Sequence, residues 1–249
     1  MKIGIISDIH GNIDALKSVL DDIRKEACEK IFCLGDLAMA GPEPDNTINF
    51  VRELMKSTDF TLIQGNTDLM LSKYSEEVHN KLIALNTVMA NAYEADIKEI
   101  SEDNKKFLAS LDKQKEIELF GVKILLVHGS PRKQDENIFP DMPLSEVEGM
   151  LTSTDAELIF CGHTHLPCGY QTTTKKTVVN VGSVGRPFSQ YPESCYVVLD
   201  IKSDSSYEIR HKLISYDFMK ASEKIKNRNF VGAEKLAQML IKATSRYPE

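Results

Sequence analysis

Four of the six histidines follow short β-like runs and stand beside glycine or another polar residue. They occur in SDIHGN (7–12), LVHGSP (126–131) and FCGHTHLP (160–167), and two further runs end in LGDL (34–37) and QGNTD (64–68). Five strand ends therefore present Asp8 with His10, Asp36, Asn66, His128, and His163 with His165. Residues two apart on an extended segment point to the same side, so the D-x-H and H-x-H pairs can each grip one locality. Carboxylate, imidazole and amide oxygen together suit a borderline or hard divalent ion such as Mn, Fe or Zn. Without a thiolate among them, a structural zinc site is a poor fit. Each piece alone is an ordinary turn, because Gly-Asp and Gly-Asn are turn formers. All of them in this order, each at a strand end, describe a metal site along one edge of a sheet. His79 and His211 fall outside every motif and receive no role.

Such convergence needs parallel strands. Residues 2–7, 30–34 and 60–64 are short apolar runs separated by helical patterns. Asn12 is placed to cap a helix whose Ile13, Leu16, Val19, Leu20 and Ile23 follow helical period, and Asp45 to cap a second through about Lys56. The β-α-β-α-β order predicts parallel strands, right-handed crossovers and ligands at the carboxyl edge. Residues 68–112 read as helical throughout, with Leu82, Ile83, Leu85, Val88, Met89 and Ala92 on one apolar face. That face either packs on the sheet, caps the site, or joins two copies in a homo-oligomer. Strands are expected at 115–120, 122–128, 157–161, 177–181, 195–201 and 207–215, with helices near 217–225 and 229–243. The expectation is an α/β fold in one domain, 1–249, with two sheets sandwiched between helices.

The formal net charge of −7 argues against broad binding to nucleic acid or an anionic membrane. It leaves room for a small phosphorylated substrate, because a metal ion inverts the local field. The five cysteines are odd in number and form no C-x-x-C pair, which favours a reducing compartment over a disulfide framework. No apolar run reaches the length of a membrane span, and the chain enters a strand at once, so a cytoplasmic protein is expected.

The set D-x-H, G-D, G-N, H-G and G-H-x-H resembles the calcineurin-like metallophosphoesterase superfamily. The resemblance runs from Met1 to about Asp217. HGSPR (128–132) and NVGSVGRP (180–187) resemble its small prokaryotic, protein-phosphatase-like phosphodiesterase branch. It implies a four-layer α/β/β/α sandwich of two mixed sheets flanked by helices, and two divalent ions per chain. Asp8, His10 and His165 would hold one ion, Asn66, His128 and His163 the other, with Asp36 bridging both. Asp36, Asn66 and His128 would then be catalytic. The implied reaction is hydrolysis of a phosphate ester by a metal-bridging hydroxide, a diester in preference. A phosphomonoesterase, a protein phosphatase, a dinucleoside-polyphosphate hydrolase and a non-catalytic interaction protein share the fold. A nuclease on long DNA is disfavoured by the charge. Arg132 and Arg186 are candidate phosphate contacts. Many superfamily members carry histidine after the motif asparagine. Here Thr67 stands there, able to hydrogen-bond a phosphoryl oxygen but poor at protonating an alkoxide.

Overall fold

The side-chain alternation of β1 (Lys2–Ile6) sets the layers of the computed structural model, which describes residues 1–245. Positions 246–249 of the expected domain lie outside the described residues. Ile3 and Ile5 point into an apolar cluster between two sheets, whereas Ile6 points into a second cluster under helices. Gly4 shares the helix-facing side: a Cβ there would stand 2.8 Å from Ile23 Cδ1, so its bareness lets the first helix lie close.

The first sheet has the order β10-β9-β1-β2-β3, with β2 Lys30–Cys33, β3 Phe60–Leu62, β9 Ser194–Ile201 and β10 Tyr207–Ile214. β1, β2 and β3 are parallel, and β9 and β10 add antiparallel. The second sheet has the order β4-β5-β6-β8-β7, with β4 Gln114–Leu119, β5 Val122–Val127, β6 Leu158–Cys161, β7 Cys168–Gln171 and β8 Thr177–Asn180. β5, β6 and β8 are parallel to one another. Ile124, Leu126, Leu158, Phe160 and Val179 meet Ile3, Ile5, Val197 and Leu199 between the sheets. Both sheets are mixed, and helices cover their outer faces.

The helical layer on the first sheet is thick. It includes α1 (Ile13–Lys25), α2 (Pro44–Ser57), α5 (Thr87–Glu99), α8 (Phe218–Lys226) and α9 (Ala233–Lys242), packed around Leu16, Val51, Tyr93, Ile225 and Leu236. Asn12 caps α1 as expected, its Oδ1 accepting from Ala15 N. Asp45 does not cap α2, which begins one residue earlier at Pro44. It sits in the first turn and its carboxylate accepts from Ser101 N and Asn104 Nδ2 instead. Segment 68–112 is four helices: α3 (Asn66–Ser72), α4 (Glu76–Leu85), α5 and α6 (Glu102–Ala109). The second sheet is covered by α7 (Leu144–Met150), whose Val147 and Met150 pack on Leu125 and Ile159. Both α7 and β7 are absent from the sequence expectation. Each is short, and β7 carries a glycine where a strand signal needs a bulky residue. No described helix is long and apolar enough to cross a membrane.

Candidate metal centre

The predicted residues come together at the carboxyl ends of five strands. Asp8 and His10 follow β1, Asp36 follows β2, Asn66 follows β3, His128 follows β5, and His163 and His165 follow β6. Beyond the ladders the loops stay paired. Asp8 N donates to Gly35 O, His10 N to Asp36 O, and Gly162 N to His128 O. Close approach is built in: a Cβ on Gly65 would fall 2.0 Å from Asp36 Oδ1, and one on Gly162 would fall 2.5 Å from Asp8 Oδ2. Asp8, His10, Asp36, His163 and His165 all have φ between 48° and 67°, the left-handed region. Aspartate, asparagine and histidine tolerate it best after glycine, and clusters of such residues mark functional sites.

Asp8, His10, Asp36, His128 and His165 are buried, while Asn66 and His163 are half-buried and form the open side. Their side chains meet, His163 Nδ1 lying 2.8 Å from Asn66 Oδ1. Three imidazoles are turned the same way. Nδ1 of His10 donates to Met39 O, that of His128 to Leu34 O, and that of His165 to Arg186 O. A carbonyl can only accept, so each ring when neutral carries its proton on Nδ1 and turns a bare Nε2 to the cluster, the usual posture of a metal-ligating histidine.

The acceptors then crowd each other. His10 Nε2 and His165 Nε2 are 3.1 Å apart, and Asp8 Oδ1 lies 3.3 Å from His165 Nε2. Asp36 Oδ2 lies 3.7 Å from His10 Nε2 and 3.4 Å from His128 Nε2, so it reaches one ligand of each expected set. Among the described residues two triads could hold an ion: Asp8, His10 and His165, and Asp8, Asp36 and His128. Asp8 Oδ1 and His128 Nε2 are fully buried with no hydrogen-bond partner among the described residues. Orphaned acceptors facing one another are costly unless a cation joins them, so the donor set fits divalent metal.

Carboxylate and imidazole charges act on one another within the cluster. Burial works to raise both carboxyls. His165 nevertheless leads in holding Asp8 well below the usual carboxylate range, and His128 leads in bringing Asp36 down to about 2. Burial likewise opposes a second proton on His128, but Asp36 and Asp8 favour it and push the ring up to about 10, so a proton on Nε2 is what a metal ion would displace. Burial lowers His163 and His165.

A residue the sequence reading left without a role holds the frame. Asp68, fully buried, accepts from Gly65 N, Asp36 N and Leu37 N. Burial, then Asp36, pushes its carboxyl up to about 7. The signal was its place in QGNTD, three residues past the glycine, where a carboxylate can reach back to a helix start. Thr67 is also engaged. Its Oγ1 donates to Ala38 O at 3.0 Å and its N–H to Asp36 Oδ1 at 2.9 Å. Its hydroxyl proton is thus directed at the loop in this arrangement.

Arg132 pairs with Glu136 at 2.5 Å and lines a cavity beside Asn66 and His128. Arg186 lies over the Phe188 ring, its Nη2 3.5 Å from Met89 Sδ. Asn180 and Ser183 brace the cluster, donating to Gly162 O and Asp8 O. His79 sits 3.2 Å from Glu94, and His211 Nε2 lies 2.8 Å from Asn180 O, both away from the ligands.

A family model described as a calcineurin-like phosphoesterase superfamily domain matches residues 1–204. The chain belongs to that superfamily. A curated relative, an uncharacterized protein of Methanocaldococcus jannaschii, is 34% identical over 244 residues, covering 91% of this chain and 93% of its own length. Among solved structures, a hypothetical protein of Pyrococcus horikoshii OT3 is similar with a TM-score of 0.86 at 20% identity, covering 97% of this chain and 98% of that one. A metallophosphoesterase of Sphaerobacter thermophilus aligns with a TM-score of 0.77 at 23% identity, covering 98% and 100%. These two likenesses establish the calcineurin-like fold: two mixed five-stranded sheets with helices outside.

Proposed function

We propose that this calcineurin-like protein is a hydrolase of phosphate esters, diesters in preference, that works with two divalent ions. The observation that carries the reading is the pair of orphaned buried acceptors, Asp8 Oδ1 and His128 Nε2, 3.9 Å apart inside a ring of further ligand atoms. Asp8, His10 and His165 would hold one ion, Asn66, His128 and His163 the other, and Asp36 both. When bound, the ions supply Lewis acidity toward phosphoryl oxygens and acidify the attacking water. The chain's own residues orient and exclude. Asp36 is fixed by Thr67 N and by the Asp68 carboxylate behind its own amide. Asn66 faces the open side, where its NH₂ can donate to a phosphate oxygen. Buried Asp8, His10 and His165 close the inner side to solvent. All seven ligand positions carry ligand side chains, which disfavours a purely structural role for the fold. The five cysteines are free thiols, consistent with a reducing compartment such as the cytoplasm.

The test is reconstitution with Mn²⁺, elemental analysis, and assay against phosphomonoesters, phosphodiesters, cyclic nucleotides and dinucleoside polyphosphates. About two ions per chain are expected. Asp36→Ala should impair both sites, and His165→Ala chiefly one. A wild-type chain that takes up no transition metal removes the basis of the proposal.

A further inference from the structure

Two cavities open onto the ligand cluster at different residues. The larger, about 730 Å³, reaches it at Asn66 and His128. The other, about 560 Å³, reaches it at His163. Segment 130–139 contributes to both, giving Pro131 and Gln134 to the first and Asn137 and Phe139 to the second. Each cavity separately has the volume of a small-molecule site. A monoester has one organic group and could fill only one of them. A diester has two, joined through the phosphoryl group that the cluster would bind.

The walls differ in chemistry. In the larger cavity Leu69 and Leu85 of the α3–α4 segment face a basic side with Arg132, Lys133 and Lys113. Arg132 and Lys133 are paired with Glu136 and Asp135, whereas the Lys113 ammonium makes no ion pair among the described residues. That wall suits an apolar body with an acidic or hydrogen-bond-accepting end. The smaller cavity is aromatic. Phe139 is 40% exposed there, and Phe188, stacked on His165 at 4.3 Å, carries the Arg186 guanidinium 5.5 Å from its ring centre. The exposed Phe139 ring, beside a half-buried Phe188 that already carries a cation, suits a planar, electron-rich group.

We infer that the substrate is a phosphodiester with two organic arms, one seated in each cavity, at least one of them planar and aromatic. This rests on the phosphoesterase reading above and names the substrate class for that site.

The test compares bis(4-nitrophenyl) phosphate with methyl 4-nitrophenyl phosphate, which share a leaving group and differ in the second arm. KM is measured on the Mn²⁺-reconstituted full chain for wild type, for the double variant Leu69→Ala/Leu85→Ala, and for Phe139→Ala. Both variants should raise KM for the bis-aryl ester roughly tenfold, the scale of a lost apolar contact in a pocket. Only one of them, the one lining the leaving-group cavity, should do so for the methyl ester. Unchanged KM for the bis-aryl ester in either variant, or equal effects of both variants on both esters, overturns the inference. Calorimetric titration with diphenyl phosphate, a diester with poor leaving groups, reads the cavities without turnover. Single-site binding weakened by both variants supports the two seats, and no binding, or binding indifferent to either variant, rejects them. Failure to hydrolyse any phosphate ester would sink the enzymatic reading, while the titration would still decide on the cavities.

Discussion

Asp36 and Asp68 are locked to each other through the backbone: Asp36 N donates to Asp68 Oδ2 at 2.8 Å, and Asp36 Oδ1 accepts from Thr67 N, the residue before Asp68, at 2.9 Å. The loop after β2 and the start of α3 are thereby one unit. A carboxylate that touches no expected ion position fixes one that does.

Asp68→Asn should therefore weaken metal binding without touching a ligand. The amide offers one acceptor oxygen where three N–H groups converge, and its NH₂ opposes at least one of them. Loss of such a supporting partner costs about 10–100-fold in metal affinity. Competition against a chelating dye measures it. An unchanged affinity would show that the glycine-tight backbone alone sets the position of Asp36.

Thr67→Ala should cost about 0.5–1.5 kcal/mol of stability, for one neutral hydrogen bond to Ala38 O, and leave kcat/KM close to wild type. With that hydroxyl spent, the leaving group must find its proton elsewhere. The rate should then fall steeply as leaving-group pKa rises, a deficit that general acid catalysis of about 10²–10⁴-fold would otherwise mask. A series of aryl and alkyl esters gives the slope. A flat plot would point to another acid.

The apolar face of 82–92 divides in two. Leu85 is 83% exposed on the rim of the larger cavity, whereas Val88 is buried against Gly232 at the start of α9. Leu85→Lys should leave the melting temperature nearly unchanged and alter KM. Val88→Asp should lose on the order of 3 kcal/mol or more, because a carboxylate would be forced into the core. Denaturant melts beside kinetics separate the two, and equal melting temperatures for both variants would refute the division.

A pH effect should arise from Asp96, fully buried, which accepts from Ala40 N at 2.8 Å and pairs with Arg228 at 2.7 Å. Burial pushes its carboxyl up to about 6, against the pull of Arg228. The folded state therefore holds this proton more tightly than the unfolded chain. Between about pH 4 and pH 6 the residue makes stability fall as pH rises, by at most about 3 kcal/mol, and above that window its contribution is level. Asp96→Asn removes this slope while keeping an acceptor for Ala40 N. The difference in unfolding free energy between wild type and variant, followed from pH 4 to pH 7, should shrink as pH rises. A constant difference would contradict the assignment.

The strands that carry the proposed ligands were legible because each ended in a polar residue beside glycine. The parallel order of β1, β2 and β3 followed from the helices between them. Thr67 and Asp68 were harder: Asp68's reach back to Gly65 N was a local signal, but its bonds to the amides of Asp36 and Leu37, and that of Thr67 to Ala38, span about thirty positions. β7 and α7 escaped because Cys168–Gln171 and Leu144–Met150 are too short to show a period. The apolar face of 82–92 was visible, but not its division, since burial of Val88 depends on α9 arriving from the far end of the chain.

The left-handed backbone at Asp8, His10, Asp36, His163 and His165 also limits which descendants of this chain can exist. At those positions only glycine, asparagine, aspartate and histidine sit with little strain. A copy that drifts out of selection for metal should thus shed these proposed ligands first as Asp→Asn, Asp→Gly or His→Asn, keeping its loops, and only later accept branched residues. At His128, which is free of that constraint, loss can go straight to an apolar side chain. The order in which ligands disappear among lapsed copies would record backbone geometry before it recorded chemistry.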